Sequence, residues 1–243
     1  MTFFLVLVGA VALLAGAIAS VSGFGIGSLL TPLLAVRVGT KLAVAAVSVP
    51  HLAATGFRFW LLRKHVDRRL LLGFGLMSAV GGLVGALLHA YADSPALTIV
   101  FGGLLIFTGV MGLTGLSETV RFRGWVAWAA GALSGLLGGL VGNQGGIRSA
   151  AMLGFDVPKH AFVATATAVG LIVDGARMPV YLVTQGEEIA ALWPVLVTAT
   201  SGAILGTVVG ERILKRVPEP IYRRLVAALL LALGVFMLLR IGQ

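Results

Sequence analysis

The sequence has no cysteine and few charged residues. Of its 243 residues, 11% are Asp, Glu, Lys or Arg, whereas soluble domains carry about 25%. The lack of cysteine excludes disulfide bonds, thiolate metal ligands and cysteine nucleophiles. With 58% hydrophobic residues and a mean hydropathy of +1.04, the chain could not form a solvated globular surface. An integral membrane protein is therefore the predicted class.

Acidic residues are half as frequent as basic ones. The chain has 9 Asp and Glu against 18 Lys and Arg, which gives a formal net charge of +9. In a soluble protein this excess would suggest nucleic acid, but basic cytoplasmic loops of a membrane protein produce the same total. No nucleic-acid partner, metal site or cofactor is predicted. The sequence also lacks a GxxxxGK[ST] motif, which argues against direct ATP coupling.

Eight mainly apolar runs approach the length of about 20 residues that a helix needs to cross a bilayer. These runs cover residues 3–20, 41–62, 70–91, 96–116, 125–141, 159–184, 190–210 and 221–239. Two other segments, 21–40 and 142–157, are too long for turns and too apolar for aqueous loops. Each opens with glycines and continues into a short apolar run. The predicted fold class is an all-α polytopic membrane protein.

Short motifs recur in the same order in the two halves of the chain. Gly-Phe-Gly-Ile-Gly at 23–27 matches Gly-Asn-Gln-Gly-Gly at 142–146, and Gly-Phe-Arg at 56–58 matches Gly-Ala-Arg at 175–177. A GxxxG pair follows in each half, and Gly-Val occurs near the end of each. The matches predict two transmembrane repeats, residues 1–121 and 122–243.

Loop charges indicate that the two repeats have opposite orientations. The loop 63–69 is basic and 91–95 is not, whereas 185–189 is acidic and 211–224 is basic. Cytoplasmic loops are enriched in Lys and Arg, so each half must cross the membrane an odd number of times. Either the glycine-centred segments fold back as hairpins, which gives three full helices plus a hairpin per half, or they cross and give five. Both arrangements place 63–69, 117–124 and 211–224 inside and 91–95 and 185–189 outside.

Inverted repeats with interrupted helices are typical of secondary transporters, and the interruptions mark the binding site. Glycine-rich breaks expose backbone N–H groups, and a following helix start adds a positive dipole end that suits an oxyanion. The alternative is that the glycines only allow tight helix packing, which is our interpretation of Gly81/Gly85 and Gly202/Gly206.

The stretches 22–34 and 138–146 resemble the two glycine motifs of the TauE/SafE sulfite exporter family. The resemblance extends to chain length, duplication and motif order. Asn143 and Gln144 before the second glycine pair, and Arg148 after it, depart from the family pattern. The resemblance implies export, or in some members uptake, of sulfite, sulfonates or related small organic anions across a bacterial inner membrane. We expect alternating movement of the two halves.

The predicted substrate-binding residues lie on the two glycine breaks and on one neighbouring helix. They are Gly23, Gly25, Gly27, Ser28, Thr31, His51, Asn143, Gln144, Gly145, Gly146 and Arg148. Arg148 is the cation expected to contact the anion, and its alternative is a boundary residue that extends to the surface. His51 could bind substrate or relay protons, or it could be a packing residue. His89 and His160 are expected at the membrane interface.

Three further charged residues within apolar runs are candidates for coupling or gating, because burial of charge in lipid is costly. Asp174 and Arg177 are spaced for a salt bridge on one helix, which we interpret as a structural pair, and the alternative is that Arg177 binds substrate. Asp174 is the best candidate for carrying a proton. Arg58 is the counterpart of Arg177 in the first repeat. Its alternative is extension to the cytoplasmic surface.

Two other functions are compatible with the pattern. An intramembrane lipid-pyrophosphate phosphatase would need clustered carboxylates, and Asp174 stands alone within the apolar runs. A passive anion channel would share the pocket without gating. The predicted partners are a small anionic substrate such as sulfite or a sulfonate and the membrane lipids, and a homodimer is left open.

Overall fold

The apolar runs fold as helices, because a helix satisfies its backbone polar groups internally where no water is available. The computed structural model describes residues 2–116, 124–143, 145–152, 158–214 and 219–241, which contain nine helices and no strand. These helices are α1 (Thr2–Ser22), α2 (Ile26–Leu62), α3 (Arg68–Tyr91), α4 (Ser94–Thr114), α5 (Trp125–Val141), α6 (Gly145–Met152), α7 (Lys159–Ala191), α8 (Trp193–Leu214) and α9 (Glu219–Leu239).

Six of the described helices, α1–α4, α7 and α8, are long and apolar enough to cross a membrane. The apolar parts of α5 and α9 are shorter, at Trp125–Val141 and Arg224–Leu239. Large apolar side chains on the outside of the bundle are exposed, as expected for a surface that faces lipid. The prediction of an all-helical multi-pass membrane protein is confirmed.

The first interrupted segment forms a helical hairpin with α1. Gly23 and Gly25 have φ angles of 79° and 136°, which only glycine adopts readily, and α2 begins directly after them. The chain then returns along α1. This path is shown by the Arg37 guanidinium, which lies 4.2 Å from the centre of the Phe4 ring. At Gly39, with φ 76° and ψ 159°, the chain leaves helical geometry and begins the second segment of α2, residues 40–62.

The second interrupted segment also starts with a glycine turn. Gly142 has φ 72° at the end of α5, and the short helix α6 follows and packs against α5. Residues 153–157 and Gln144 lie outside the described residues.

The prediction of an outer loop at 185–189 is wrong about where the chain turns. Helix α7 passes through a break at Gln185 (φ −142°, ψ 20°) and continues to Ala191, so the turn falls at Leu192. Glu187 and Glu188 are exposed on this last helical stretch, while Ile189 is buried. Two charges next to each other suggested a loop, but a helix end can expose two glutamates and bury the next residue.

Helices from the two halves of the chain pack pairwise on each other. Helix α1 packs on α8, α3 on α5, α4 on α9, and α2 on α7. The α3–α5 contact is close, because a Cβ atom on Gly81 or Gly85 would overlap a backbone carbonyl of α5. Gly206 meets α1 in the same way. The prediction that these glycines serve helix packing is confirmed.

Candidate functional site

The two glycine turns contact each other inside the bundle. A Cβ atom on Gly27 would overlap the carbonyl oxygen of Gly142, and one on Gly145 would overlap the Phe24 side chain. Such close approach requires glycine on at least one side of each contact. The structure therefore brings together the two segments in which the substrate-binding residues were predicted.

Two buried arginines meet at the first turn. The Arg148 Nη2 donates to the Gly23 carbonyl at 3.0 Å, and the Arg58 Nη2 lies 3.4 Å from the same oxygen. Arg58 also donates to Thr167 Oγ1 at 3.0 Å and to the carbonyl oxygen of Ala19 at 2.5 Å. Arg58 is 4% exposed and Arg148 is 2% exposed, so neither side chain extends to the membrane surface. The alternative that they extend to the surface is wrong.

A buried ionic triad lies on the helix pair next to these arginines. His51 Nδ1 is 2.6 Å from Asp174 Oδ2, and Arg177 donates to Asp174 Oδ1 through Nε at 3.0 Å and Nη2 at 2.8 Å. Arg177 also donates to the Gly138 carbonyl at 2.7 Å. His51 belongs to α2, whereas Asp174 and Arg177 belong to α7. The triad therefore links the two central helices. The sequence spacing had predicted the Asp174–Arg177 pair on one helix but not its contact with His51.

The second segment of α2 and helix α7 run antiparallel and meet in layers about one helical turn apart. Facing side chains are therefore found three or four residues further on in α2 and three or four residues further back in α7. The layers pair Arg58 with Thr167, Thr55 with Gly170, His51 with Asp174, and Ser48 with Met178. The absence of a side chain at Gly170 leaves room for Arg148, because a Cβ atom there would lie 2.9 Å from Arg148 Nη1.

We call the meeting point of the two glycine turns, the starts of α2 and α6 and the Thr55–Gly170 layer the junction. Several buried polar atoms at this junction have no hydrogen-bond partner among the described residues. They are Thr31 Oγ1, Thr55 Oγ1, Asn143 Nδ2, and Nε and Nη1 of Arg148. An unsatisfied buried polar group costs about 1–3 kcal/mol, more when it is charged, so such groups call for an explanation. All of them lie on the glycine turns, on the helix starts that follow, or in the adjacent Thr55–Gly170 layer. The junction thus offers unused donors to a small polar ligand.

The predicted site residues are partly accounted for by this junction. Gly23, Gly25 and Gly27 form the first turn and the start of α2, and Ser28 and Thr31 are buried just after it. Asn143, Gly145, Arg148 and His51 lie on the second turn, on α6 and on α2. Gln144 lies outside the described residues, and Gly146 falls within α6.

Sequence reasoning missed Thr55, Thr167 and Gly170, although their positions carry a signal. Thr55 lies four residues after His51, and Gly170 lies four residues before Asp174. Each is therefore on the same helix face as a residue that was already singled out. The packing of α2 on α7, which the sequence does not report, places Thr55 opposite Gly170 and Thr167 opposite Arg58.

The prediction of an interfacial His89 is wrong. This side chain is fully buried on α3, and its Nδ1 lies 2.8 Å from the Leu140 carbonyl. Its Nε2 lies 3.2 Å from Gln185 Nε2, and its ring packs 4.9 Å from that of Tyr181. Tyr181 in turn donates to the Gly139 carbonyl. His160 is exposed, and its position at the membrane interface stays a prediction.

A cavity of about 130 Å³ lies away from the junction. It is lined mainly by apolar residues of α1, the first segment of α2 and α8, including Phe4, Leu34 and Val195. Arg37 is its charged lining residue, and that side chain is exposed and stacks on Phe4. The converging polar groups, rather than this apolar cavity, define the candidate site.

Comparison with known proteins gives one match. The family model described as Sulfite exporter TauE/SafE matches residues 8–237, which is nearly the whole chain. Searches of curated proteins and of solved structures gave no significant match. The match covers both glycine turns, the buried arginines and the ionic triad. The chain therefore belongs to the TauE/SafE sulfite exporter family, which is a family of membrane transporters.

Proposed function

We propose that this protein is a secondary transporter that exports sulfite, a sulfonate or a related small organic anion across the bacterial inner membrane. The observation that carries the proposal is Arg148, a buried guanidinium at the meeting point of the glycine turns. Two of its nitrogen atoms have no partner among the described residues. A guanidinium presents its donors in a planar fork that matches two oxygens of an oxyanion.

The balance of charge at the junction favours an anion. Three arginines, Arg58, Arg148 and Arg177, lie there with Asp174 as the one acidic residue near them among those described. Uncompensated charge in a low-dielectric interior is costly, and a bound anion would compensate it. Hydrogen bonds to charged groups are also stronger than those between neutral groups.

Inverted repeats related by a pseudo-twofold axis are part of the proposal, and matching contacts in the two halves support them. Arg58 donates to the Ala19 carbonyl as Arg177 donates to the Gly138 carbonyl, and both pairs of residues are 119 positions apart. Further along, Gly109 approaches Ala227 as Gly234 approaches Gly102, with both spacings equal to 125. An exchange of partners of this kind is what a twofold axis produces.

Alternating access would occur around the glycine turns. The halves 1–121 and 122–243 are unsuitable as moving bodies, because α1 packs closely on α8 and α3 packs closely on α5. We therefore assign the movement to these two helix pairs, each made from both halves, which would rock about the α2–α7 contact. Anion export would be favoured by the membrane potential, which is negative inside.

The proposal is tested by transport of radiolabelled sulfite and, separately, methanesulfonate in proteoliposomes. Arg148→Gln should reduce sulfite transport at least tenfold, since the loss of a charge-assisted hydrogen bond of about 1.5–3 kcal/mol corresponds to a factor of ten or more. Arg37→Gln is the matched control, because this arginine of α2 is exposed and lies outside the junction. Normal transport by Arg148→Gln would contradict the proposed site. Counterflow and saturation would distinguish a carrier from a channel.

A further inference from the structure

The ionic triad contains the one described histidine that meets a carboxylate inside the bundle. His51 is 9% exposed and Asp174 is fully buried, and their contact of 2.6 Å joins α2 to α7. This layer lies one helical turn from the Thr55–Gly170 layer, where Arg148 enters. A titratable pair is therefore adjacent to the proposed anion site, on the two helices about which the proposed movement occurs.

The repeat does not by itself require a titratable pair here. At the repeat spacing of 119, His51 corresponds to Gly170 and Thr55 corresponds to Asp174. The His51–Asp174 layer and the Gly170–Thr55 layer are thus equivalent positions with different chemistry. One layer carries an imidazole and a carboxylate, whereas the other leaves space for a guanidinium. This difference indicates two separate tasks for the two layers.

We propose that His51 binds a proton that crosses the membrane together with the anion held at Arg148. This proposal rests on the proposed transport function. The proton on Nδ1 is donated to Asp174 in both states of the ring, and Nε2 takes up and releases the transported proton. No bond other than the N–H bond forms or breaks. One dianion and one proton together carry one negative charge across the membrane.

The charged side chains on the helices around His51 explain the coupling. Helix α7 contributes Asp174 and Arg177, α6 contributes Arg148, and α2 contributes Arg58. Without an anion, an imidazolium would add a positive charge to three arginines and one carboxylate. A bound anion offsets part of this repulsion, so anion and proton each strengthen the binding of the other by the same factor.

The test uses His51→Gln, because the glutamine amide can still donate to Asp174 but does not titrate. The control is His89→Gln, which changes another fully buried histidine whose Nδ1 lies against a backbone carbonyl rather than a carboxylate. Proton flux, followed with a dye inside proteoliposomes, is measured per radiolabelled sulfite transported. The protonation of sulfite itself contributes equally in all three proteins, so differences between them report on the protein.

We expect wild type and His89→Gln to move one more proton per sulfite than His51→Gln. The ratio of sulfite affinities between wild type and His51→Gln should change by up to tenfold per pH unit. Equal proton flux and equal pH dependence in all three proteins would overturn the coupling while leaving anion transport intact. Absence of sulfite binding and transport in wild type would instead remove the proposed function, and the coupling with it.

A second measurement on the wild type covers the case in which His51→Gln does not fold. Nitrogen-15 NMR of labelled histidine distinguishes the charged ring from the neutral one. Saturating sulfite should increase the charged fraction of His51 at a given pH. An unchanged fraction would overturn the proposal without any variant.

Discussion

Arg58 and Arg148 share one backbone carbonyl at the centre of the molecule, and this contact has an energetic consequence. Two like charges close together repel each other, and the acceptors around them are mainly backbone carbonyl oxygens and a threonine hydroxyl. The carboxylate of Asp174 is already bound to His51 and Arg177. An anion that bridged the two arginines would lower the free energy of this arrangement more than it would near a neutral site.

The hydroxyl of Thr55 gives a prediction at the residue scale. This hydroxyl is buried in the Thr55–Gly170 layer, which Arg148 enters, and it has no hydrogen-bond partner among the described residues. Thr55→Val should leave the thermal stability unchanged or raise it, because it removes a buried unsatisfied group that costs about 1–3 kcal/mol. If the hydroxyl contacts the anion, the same variant should weaken the apparent sulfite affinity about three- to tenfold. Thermal unfolding in detergent and sulfite transport measure the two effects.

Thr207→Val is the matched control for this prediction. Thr207 is also buried, but its hydroxyl donates to the Ala203 carbonyl of its own helix. We expect this variant to transport sulfite with wild-type affinity. Equal effects of Thr55→Val and Thr207→Val on transport would exclude a specific role for Thr55.

At the scale of the elements, the glycine turns combine two functions in one backbone. Positive φ at Gly23, Gly25 and Gly142 allows the chain to turn inside the helix bundle. The absence of side chains at Gly27 and Gly145 then lets the two reversals approach to contact distance. The irregular backbone of these turns is enclosed by protein, which is the condition under which such backbone is tolerated in a membrane protein.

The α3–α5 contact gives a prediction for an element pair. Gly85→Ala should destabilise the protein by about 1–3 kcal/mol, because its Cβ would overlap the Leu136 carbonyl and lie 2.8 Å from the Leu140 nitrogen. Gly103→Ala is the matched control, since Gly103 lies in α4 and no atom approaches its Cβ position within 4 Å. This control should be neutral or slightly stabilising. Thermal unfolding in detergent compares the two, and equal midpoints would show that the contact is looser than described.

At the scale of the whole molecule, the two halves of the chain are interlocked. Each of the helices α1, α3, α4 and α2 packs on a helix of the other half, namely α8, α5, α9 and α7. The largest hydrophobic core among the described residues combines α1, α2, α4, α8, α9 and the end of α5, and a second core combines α3, α5, α6 and α7. The two repeats predicted from the sequence, residues 1–121 and 122–243, are therefore not separately packed bodies.

The proposed inverted topology predicts which side of the membrane each turn faces. The chain has no cysteine, so one introduced cysteine is the one thiol in each variant. Tyr91→Cys and Glu187→Cys should react with a membrane-impermeant thiol reagent applied from outside, and Lys64→Cys should react only after the membrane is opened. All three positions are exposed, so burial does not limit labelling. Labelling of position 64 from outside would contradict the topology.

Much of the architecture was accessible from the sequence because the membrane imposes simple rules. Apolar length predicted the helices, and glycine spacing predicted close helix packing at Gly81 and Gly85, although not which helix they pack on. The predictions were less accurate for the loop at 185–189 and for the surroundings of His89. Glu187 and Glu188 suggested a loop, but they lie in helix α7. The position of His89 near the end of an apolar run suggested the membrane interface, but its side chain is fully buried.

By itself, the sequence determined the membrane class, the positions of the glycine breaks and the residues that carry charge inside apolar runs. These properties follow from composition and local spacing. Only the tertiary structure decided that His51 meets Asp174 across two helices and that Gly170 leaves space for Arg148. Such contacts depend on the rotation and register of α2 against α7. Many close-packed side chains set that register together, and no local pattern reports it.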